Sequence, residues 1–132
     1  MKAFEPRAVD IFRPYPDEMP WQLLLQADPI EDRVRQYADP DWTRIAKFNG
    51  EVVGVYVVRA NTALEYEVMN LAVAAPYRGK GRGGGLLGHA IGISESKGAR
   101  EIVTLSFAQT SLFARVGFEP VGAGGRLTLT PE

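Results

Sequence analysis

Val73-Ala74-Ala75-Pro76-Tyr77-Arg78-Gly79-Lys80-Gly81-Arg82-Gly83-Gly84-Gly85-Leu86-Leu87 is the stretch on which the fold turns. An apolar β-prone run enters it, a glycine-rich turn follows, and apolar residues at helical spacing leave it. Glycine reaches φ > 0 without steric cost, so successive backbone N–H groups can converge on one point. A helix start adds unsatisfied N–H donors and the positive end of its dipole. Strand, glycine turn and helix start together make an anion cradle, and Lys80 and Arg82 add formal charge at its rim. The simpler alternative is a turn whose small residues serve close packing.

The charge distribution agrees with the cradle. The 132 residues carry a net charge of −1, yet residues 75–100 hold Arg78, Lys80, Arg82, Lys97 and Arg100 against Glu95 alone, a local +4. A compact anionic ligand fits such a concentration, although a solvated helix face would also produce it. The near-zero total disfavours a dedicated nucleic-acid binder, whose phosphate contacts need a large basic excess. The absence of cysteine excludes disulfide scaffolds, Cys-ligated zinc, iron–sulfur clusters and thiol chemistry. The lone histidine, His89, rules out a His-rich metal site, so no metal is expected, and its place on the helix suits a surface residue better than a base. No apolar run approaches a membrane span or a signal core, so a soluble, cytoplasmic protein without a membrane partner is expected. The length suits one domain over residues 1–132.

Outward from the turn, the pattern predicts strands at 8–12, 43–48, 51–59, 64–74, 101–107, 118–121 and 126–130. Helices are predicted at 21–27, from Asp28-Pro29 to Tyr37, at 81–97 and at 110–116. Asp28 is read as an N-cap with Pro29 in the first turn. Asn49-Gly50 predicts a tight hairpin, and Gly98 and Gly117 stand where helix stops belong. Gly122, Gly124 and Gly125 are expected in the last hairpin turn. The order gives an α/β (α+β) domain, a mixed, mostly antiparallel twisted sheet of six or seven strands flanked by about four helices, with early hairpins and one late β-α-β crossover.

Two nucleotide motifs are tested by the same stretch. A Walker loop fails, because Ala74 stands where its first glycine belongs and Gly81 follows the lysine. A dinucleotide fingerprint matches formally at Gly79, Gly81 and Gly84, but the turn follows three predicted strands, and no acidic residue closes a later strand at the needed distance.

A third pattern fits better. Arg78, Gly81 and Gly83 give Arg-x-x-Gly-x-Gly, preceded by Leu71-Ala72-Val73 and Pro76 and followed by Leu86-Leu87. Phe113 and Gly117-Phe118 give an aromatic, three residues, then Gly-Phe. In these features the sequence resembles the GNAT superfamily of N-acetyltransferases, most firmly over residues 45–121. The resemblance implies acetyl-CoA as co-substrate and an amine acceptor of unspecified identity. It implies a central parallel strand pair that splays to admit the pantetheine arm, with Pro76 near the divergence. Backbone amides over Arg78, Gly79, Lys80, Gly81, Arg82, Gly83 and Gly84 would hold the pyrophosphate, and Leu71, Ala72 and Val73 would pair with the arm. An oxyanion donor would come from the backbone at Leu71 to Val73.

Acetyl transfer needs a neutral amine, so a base is required, and Glu67 is the candidate, with Asn70 and Glu65 nearby. A solvated strand carboxylate is the plainer reading of Glu67. The family's usual tyrosine acid is replaced by Phe113, which cannot donate a proton and fits the core or the cofactor wall. Ser111 is the first substitute donor, with Thr110, Ser106 and Tyr77 as others, or the thiolate leaves unassisted, or the protein binds acetyl-CoA without turnover. A regulatory acyl-CoA-binding module is therefore the alternative to an enzyme. Trp21 and Trp42 pack helices on the sheet or line an acceptor pocket, and Asp28, Glu31, Asp32, Asp39 and Asp41 would favour a cationic amine. A homodimer is one assembly the sequence allows.

Overall fold

The computed structural model describes residues 10–78, 82–104 and 110–129, without the side chains of Arg82, Thr110 and Ser111. The elements run β1 Asp10–Phe12, α1 Trp21–Ala27, α2 Glu31–Tyr37, β2 Thr43–Phe48, β3 Glu51–Ala60, β4 Glu65–Val73, α3 Arg82–Ser96, β5 Glu101–Thr104, α4 Thr110–Val116, β6 Glu119–Val121 and β7 Gly124–Thr128. Short 3-10 turns stand at Pro16–Glu18, Pro40–Trp42 and Ala75–Tyr77.

The seven strands form one sheet in the order β1-β2-β3-β4-β5-β7-β6. Every neighbouring pair is antiparallel except β4 and β5, which the α3 crossover joins in parallel. This is the mixed sheet read from the sequence. The hairpin between β2 and β3 turns at Asn49 and Gly50, with φ of 53° and 81°, the double positive φ whose twist matches that of the paired strands.

Alternation along β3 sends Val55 and Val57 to one face and Tyr56 and Val58 to the other. The first face packs on α1 and α2 through Leu23, Leu24 and Val34. The second packs on α3 and α4 through Leu86, Leu87, Ala90, Leu112 and Phe113. A fully buried Leu or Val contributes about 1.5–3 kcal/mol, so each layer is held chiefly by a few such side chains. Gly54 interrupts the β-branched run for a packing reason: a Cβ there would lie 3.1 Å from the Leu86 side chain and 3.4 Å from the Ala72 carbonyl.

Both later helices end as their glycines predict. At α3, Ala99 N–H reaches Ser94 O and Gly98 N–H reaches Glu95 O, with Gly98 at φ 100°. At α4, Phe118 N–H reaches Phe113 O and Gly117 N–H reaches Ala114 O, with Gly117 at φ 109°. The hydrophobic contact that accompanies this cap is an edge-on pair of Phe113 and Phe118 rings, 5.1 Å apart.

Two expectations change. Helix α2 begins at Glu31, after Ile30, and Asp28 closes α1 instead of capping α2. The Asp28 carboxylate is drawn to Arg33 Nε and Nη2 and to Tyr37 OH, so it braces α2 from the side. Gly124 and Gly125 are strand residues of β7, paired to Val121 and Pro120, and the turn is left to Gly122 and Ala123. Among the described residues the parallel pairing of β4 and β5 runs from Glu65 and Glu101 to Glu67 and Val103, and the residues after Thr104 that would show a splay near Pro76 lie outside them. Opposite Val57 and Val58, the β3 register skips Met69, so β4 carries a bulge there, and a bulge bends its strand away from a neighbour. Expectations at 8–9, 79–81, 105–109 and 130 lie outside the described residues.

Candidate active site

Beyond Glu67, β4 runs on to Val73 along a groove of about 610 Å3. Leu71, Ala72 and Val73 form one side, and Gly83 and Gly84 at the start of α3 another. Gln26 and Ala27 of α1, Arg78, and Leu112 and Arg115 of α4 complete it. Gly83 is small for a structural reason, since a Cβ would stand 3.3 Å from Leu112 Cδ2 and 3.9 Å from Val73 Cγ2. Six of the predicted cofactor residues, Arg78 among them, thus gather here, while Gly79, Lys80 and Gly81 lie outside the described residues, and Arg82 contributes its backbone to α3.

Arg78 folds back over the end of β4. Its Nε donates to Val73 O at 2.8 Å and its Nη2 to Gln26 Oε1 at 2.9 Å. One guanidinium therefore ties the groove's strand to α1. Phe113 is placed differently from its neighbours on α4. It is buried against Phe118 in the core, while Leu112 and Arg115 line the groove.

Glu67 is 4% exposed, and its Oε1 accepts from Asn61 Nδ2 at 3.0 Å. It stands opposite Val103 in the parallel pairing of β4 with β5. A strand carboxylate lying in water is therefore not what this residue is. Asn70 is equally buried and serves the helices above it. Its Nδ2 donates to Leu24 O at 3.0 Å and to Tyr37 OH at 2.9 Å. Tyr37 OH in turn donates to Asp28 Oδ2 at 3.0 Å, and burial pushes the phenol up to about 12. Asn70 Oδ1 is buried without a hydrogen-bond partner among the described residues. The chain Asn70–Tyr37–Asp28–Arg33 locks α1 and α2 to β4, so Asn70 is a clamp more than a proton acceptor.

Of the substitute acids, Ser111 and Thr110 lie on α4 with side chains outside the description, and Ser106 lies outside altogether. Tyr77 points to the β2–β3 hairpin, its OH 3.3 Å from Glu51 Oε1 and its ring edge-on to Phe48. His89 Nδ1 meets the buried Tyr56 OH at 2.7 Å, and partial burial holds the imidazole below its ordinary value. It is not among the groove-lining residues. The acidic cluster is largely consumed internally: Asp28 by Arg33, Glu31 by Arg35 and Asp41 by Arg13. Trp21 carries the Arg35 guanidinium 4.6 Å above its ring. Among the described residues no three His, Asp or Glu side chains gather as metal ligands, and no helix is long and apolar enough to cross a membrane.

The residues not foreseen are Gln26, Leu112, Arg115 and Asn61. Helical spacing on α4 could have found Arg115, one turn from Leu112. Asn61 gave no signal, since asparagine in a loop reads as a turn former.

The sequence pattern of the acetyltransferase (GNAT) family matches residues 4–118. The chain belongs to the GNAT family of acetyltransferases. Similar to it is an uncharacterized N-acetyltransferase, YvbK, of Bacillus subtilis (strain 168), 34% identical over 106 residues that span 77% of this chain and 68% of that protein. A solved IAA acetyltransferase from Bacillus cereus is 34% identical, with a TM-score of 0.76 over 86% of this chain and 79% of its own. A GNAT family acetyltransferase from Elizabethkingia anophelis, solved with acetyl-CoA bound, is 25% identical, with a TM-score of 0.79 over 94% of this chain and 99% of its own. The GNAT fold thus accounts for the seven-stranded sheet and its single parallel pair, and the chain is an N-acetyltransferase of that family.

Proposed function

We propose that this GNAT protein binds acetyl-CoA in the groove beside β4 and transfers the acetyl group to a primary amine by direct attack on the thioester. The observation that carries the reading is the ligand-sized groove between the end of β4 and the start of α3, with a buried carboxylate, Glu67, further back on the same strand. The groove falls in the volume range of ligand sites. Its ends suit the two ends of the ligand: the start of α3 for phosphates, β4 toward Glu67 for the thioester.

In this mechanism Glu67 removes the proton that keeps the amine an ammonium. The amine lone pair then attacks the thioester carbon, and the oxyanion accepts a hydrogen bond from the β4 backbone between Leu71 and Val73. Collapse breaks the C–S bond, and the nitrogen, cationic after the attack, passes its proton to the departing thiolate or to water, giving the amide and CoA. A thiolate is a good leaving group, so a dedicated acid adds at most about 10²–10⁴-fold, and Phe113 in place of a tyrosine is compatible with turnover. With no proton donor at Phe113, the alternative is a family member that binds acetyl-CoA without transferring it.

Amine-dependent release of free CoA thiol separates the two. Native protein is expected to release thiol with members of a panel of primary amines. Glu67→Gln is expected to lose at least about 10²-fold in that rate with unchanged acetyl-CoA affinity. Binding of acetyl-CoA without release by any amine would favour the binding module, and a full rate in Glu67→Gln would remove Glu67 from the mechanism.

A further inference from the structure

We propose that Asn61 is a positioning residue for Glu67, holding one carboxylate oxygen so that the other faces the incoming amine. The inference rests on the reading of Glu67 as the base. Asn61 opens the loop between β3 and β4, and its backbone is fixed there: Asn61 N–H donates to Glu65 O at 2.8 Å, and Thr62 N–H to the same oxygen at 3.2 Å. Thr62 Oγ1 accepts from Leu64 N–H and Glu65 N–H at 3.1 and 3.0 Å, closing the turn. A rigid loop therefore delivers the amide.

The amide is spent on two acids. Asn61 Nδ2 donates to Glu65 Oε2 and to Glu67 Oε1, each at 3.0 Å. Glu65 and Glu67 are two apart on β4 and share a face, where like charges repel. Glu65 has a second partner in reach, Arg126 at 3.9 Å, which itself holds Glu101 at 2.7 Å. Among the described residues Glu67 has no ion pair, and Asn61 is its hydrogen-bond partner. The charged groups around Glu67 are Arg59 beside it on β3, Glu65 on β4, Glu101 on β5 and Arg126 on β7, with the Tyr37 hydroxyl toward α2. A donor to a carboxylate favours its charged form. Its removal takes away the contact that fixes the orientation of the carboxylate.

The test compares native protein, Asn61→Ala, Asn61→Asp and Glu67→Gln. The first readout is the carbon-13 NMR signal of the Glu67 carboxyl at fixed pH, assigned by its loss in Glu67→Gln, which needs no acceptor. The second is kcat and KM, taken separately, with the best amine of the panel. The carboxyl signal should shift in both variants, and kcat should fall by about tenfold or more while the KM for acetyl-CoA stays within about twofold. The aspartate keeps the shape and the turn but adds a third carboxylate, so it reports even if the alanine variant loosens the loop. In a Glu67→Gln background the Asn61 substitutions should change the rate less than about twofold. Native values of the carboxyl signal and of kcat in both variants, or an equal fall in kcat in the Glu67→Gln background, would overturn the assignment while leaving Glu67 as base. A full rate in Glu67→Gln would instead overturn the base and the positioning role together.

Discussion

Replacing Gly83 by aspartate should abolish tight binding of acetyl-CoA while leaving the fold intact. A Cβ on Gly83 points between Leu112 Cδ2, 3.3 Å away, and Val73 Cγ2, 3.9 Å away, so the added side chain enters the groove wall. The close atom is the tip of a flexible leucine, which yields by a few tenths of an ångström. Aspartate in the first turn of α3 interacts favourably with the helix dipole, worth roughly 0.3–1 kcal/mol, and removes a helix glycine that costs about the same. The melting temperature should therefore stay level or rise. A carboxylate about 5 Å from a bound phosphate, at an effective dielectric of about 20, costs on the order of 3 kcal/mol per phosphate charge. That is about a 10²-fold loss in affinity or more. Gly83→Asn supplies the same shape without the charge and isolates the electrostatic part. Calorimetric titration with acetyl-CoA at two salt concentrations gives both numbers. We expect the Asp/Asn difference to reach about 10²-fold at low salt and to shrink as salt screens it. Equal losses in the two variants, or an aspartate variant within about threefold of native, would refute the placement of the phosphates.

Two further outcomes follow from the scaffold. Arg33 beside Asp28 holds its carboxyl below the usual carboxylate range, so its stabilisation is complete above about pH 4 and is lost as pH falls through the depressed value. Asp28→Asn should then lower the melting temperature at pH 7, and the gap should close toward pH 2 in a thermal-melt series. Gly54→Val should cost about 1–3 kcal/mol in denaturant unfolding, because its Cβ meets Leu86 at 3.1 Å and the Ala72 carbonyl at 3.4 Å. A neutral result would show that α3 can lift from the sheet without penalty.

The elements legible in the sequence are those whose signals are local. Asn49-Gly50, Gly98 and Gly117 each announce a backbone conformation that few other residues adopt, and each appears where it was read. The α3 and α4 ends carry their full cap hydrogen bonds. Asp28 misled because an N-cap signature says nothing of an arginine five residues on and a tyrosine nine residues on, which take the carboxylate instead. The bulge at Met69 has no such local signal. A bulge is a relation between two strands and leaves no mark in one. The same reason hid Gln26, Arg115 and Asn61, whose roles arise from contacts between separate elements. Asn70 and Glu67 are close in sequence, and only contacts between separate elements show Asn70 held by the helices and Glu67 by the Asn61 loop.

A crystal structure of the native protein with acetyl-CoA bound tests the central claim most directly. The account predicts the pyrophosphate against the backbone at the start of α3, the pantetheine arm beside Leu71 to Val73, and the thioester at the parting of β4 and β5, within reach of Glu67 through at most one water. Acetyl-CoA bound away from this groove, or lying in it with the thioester directed away from Glu67, would contradict it.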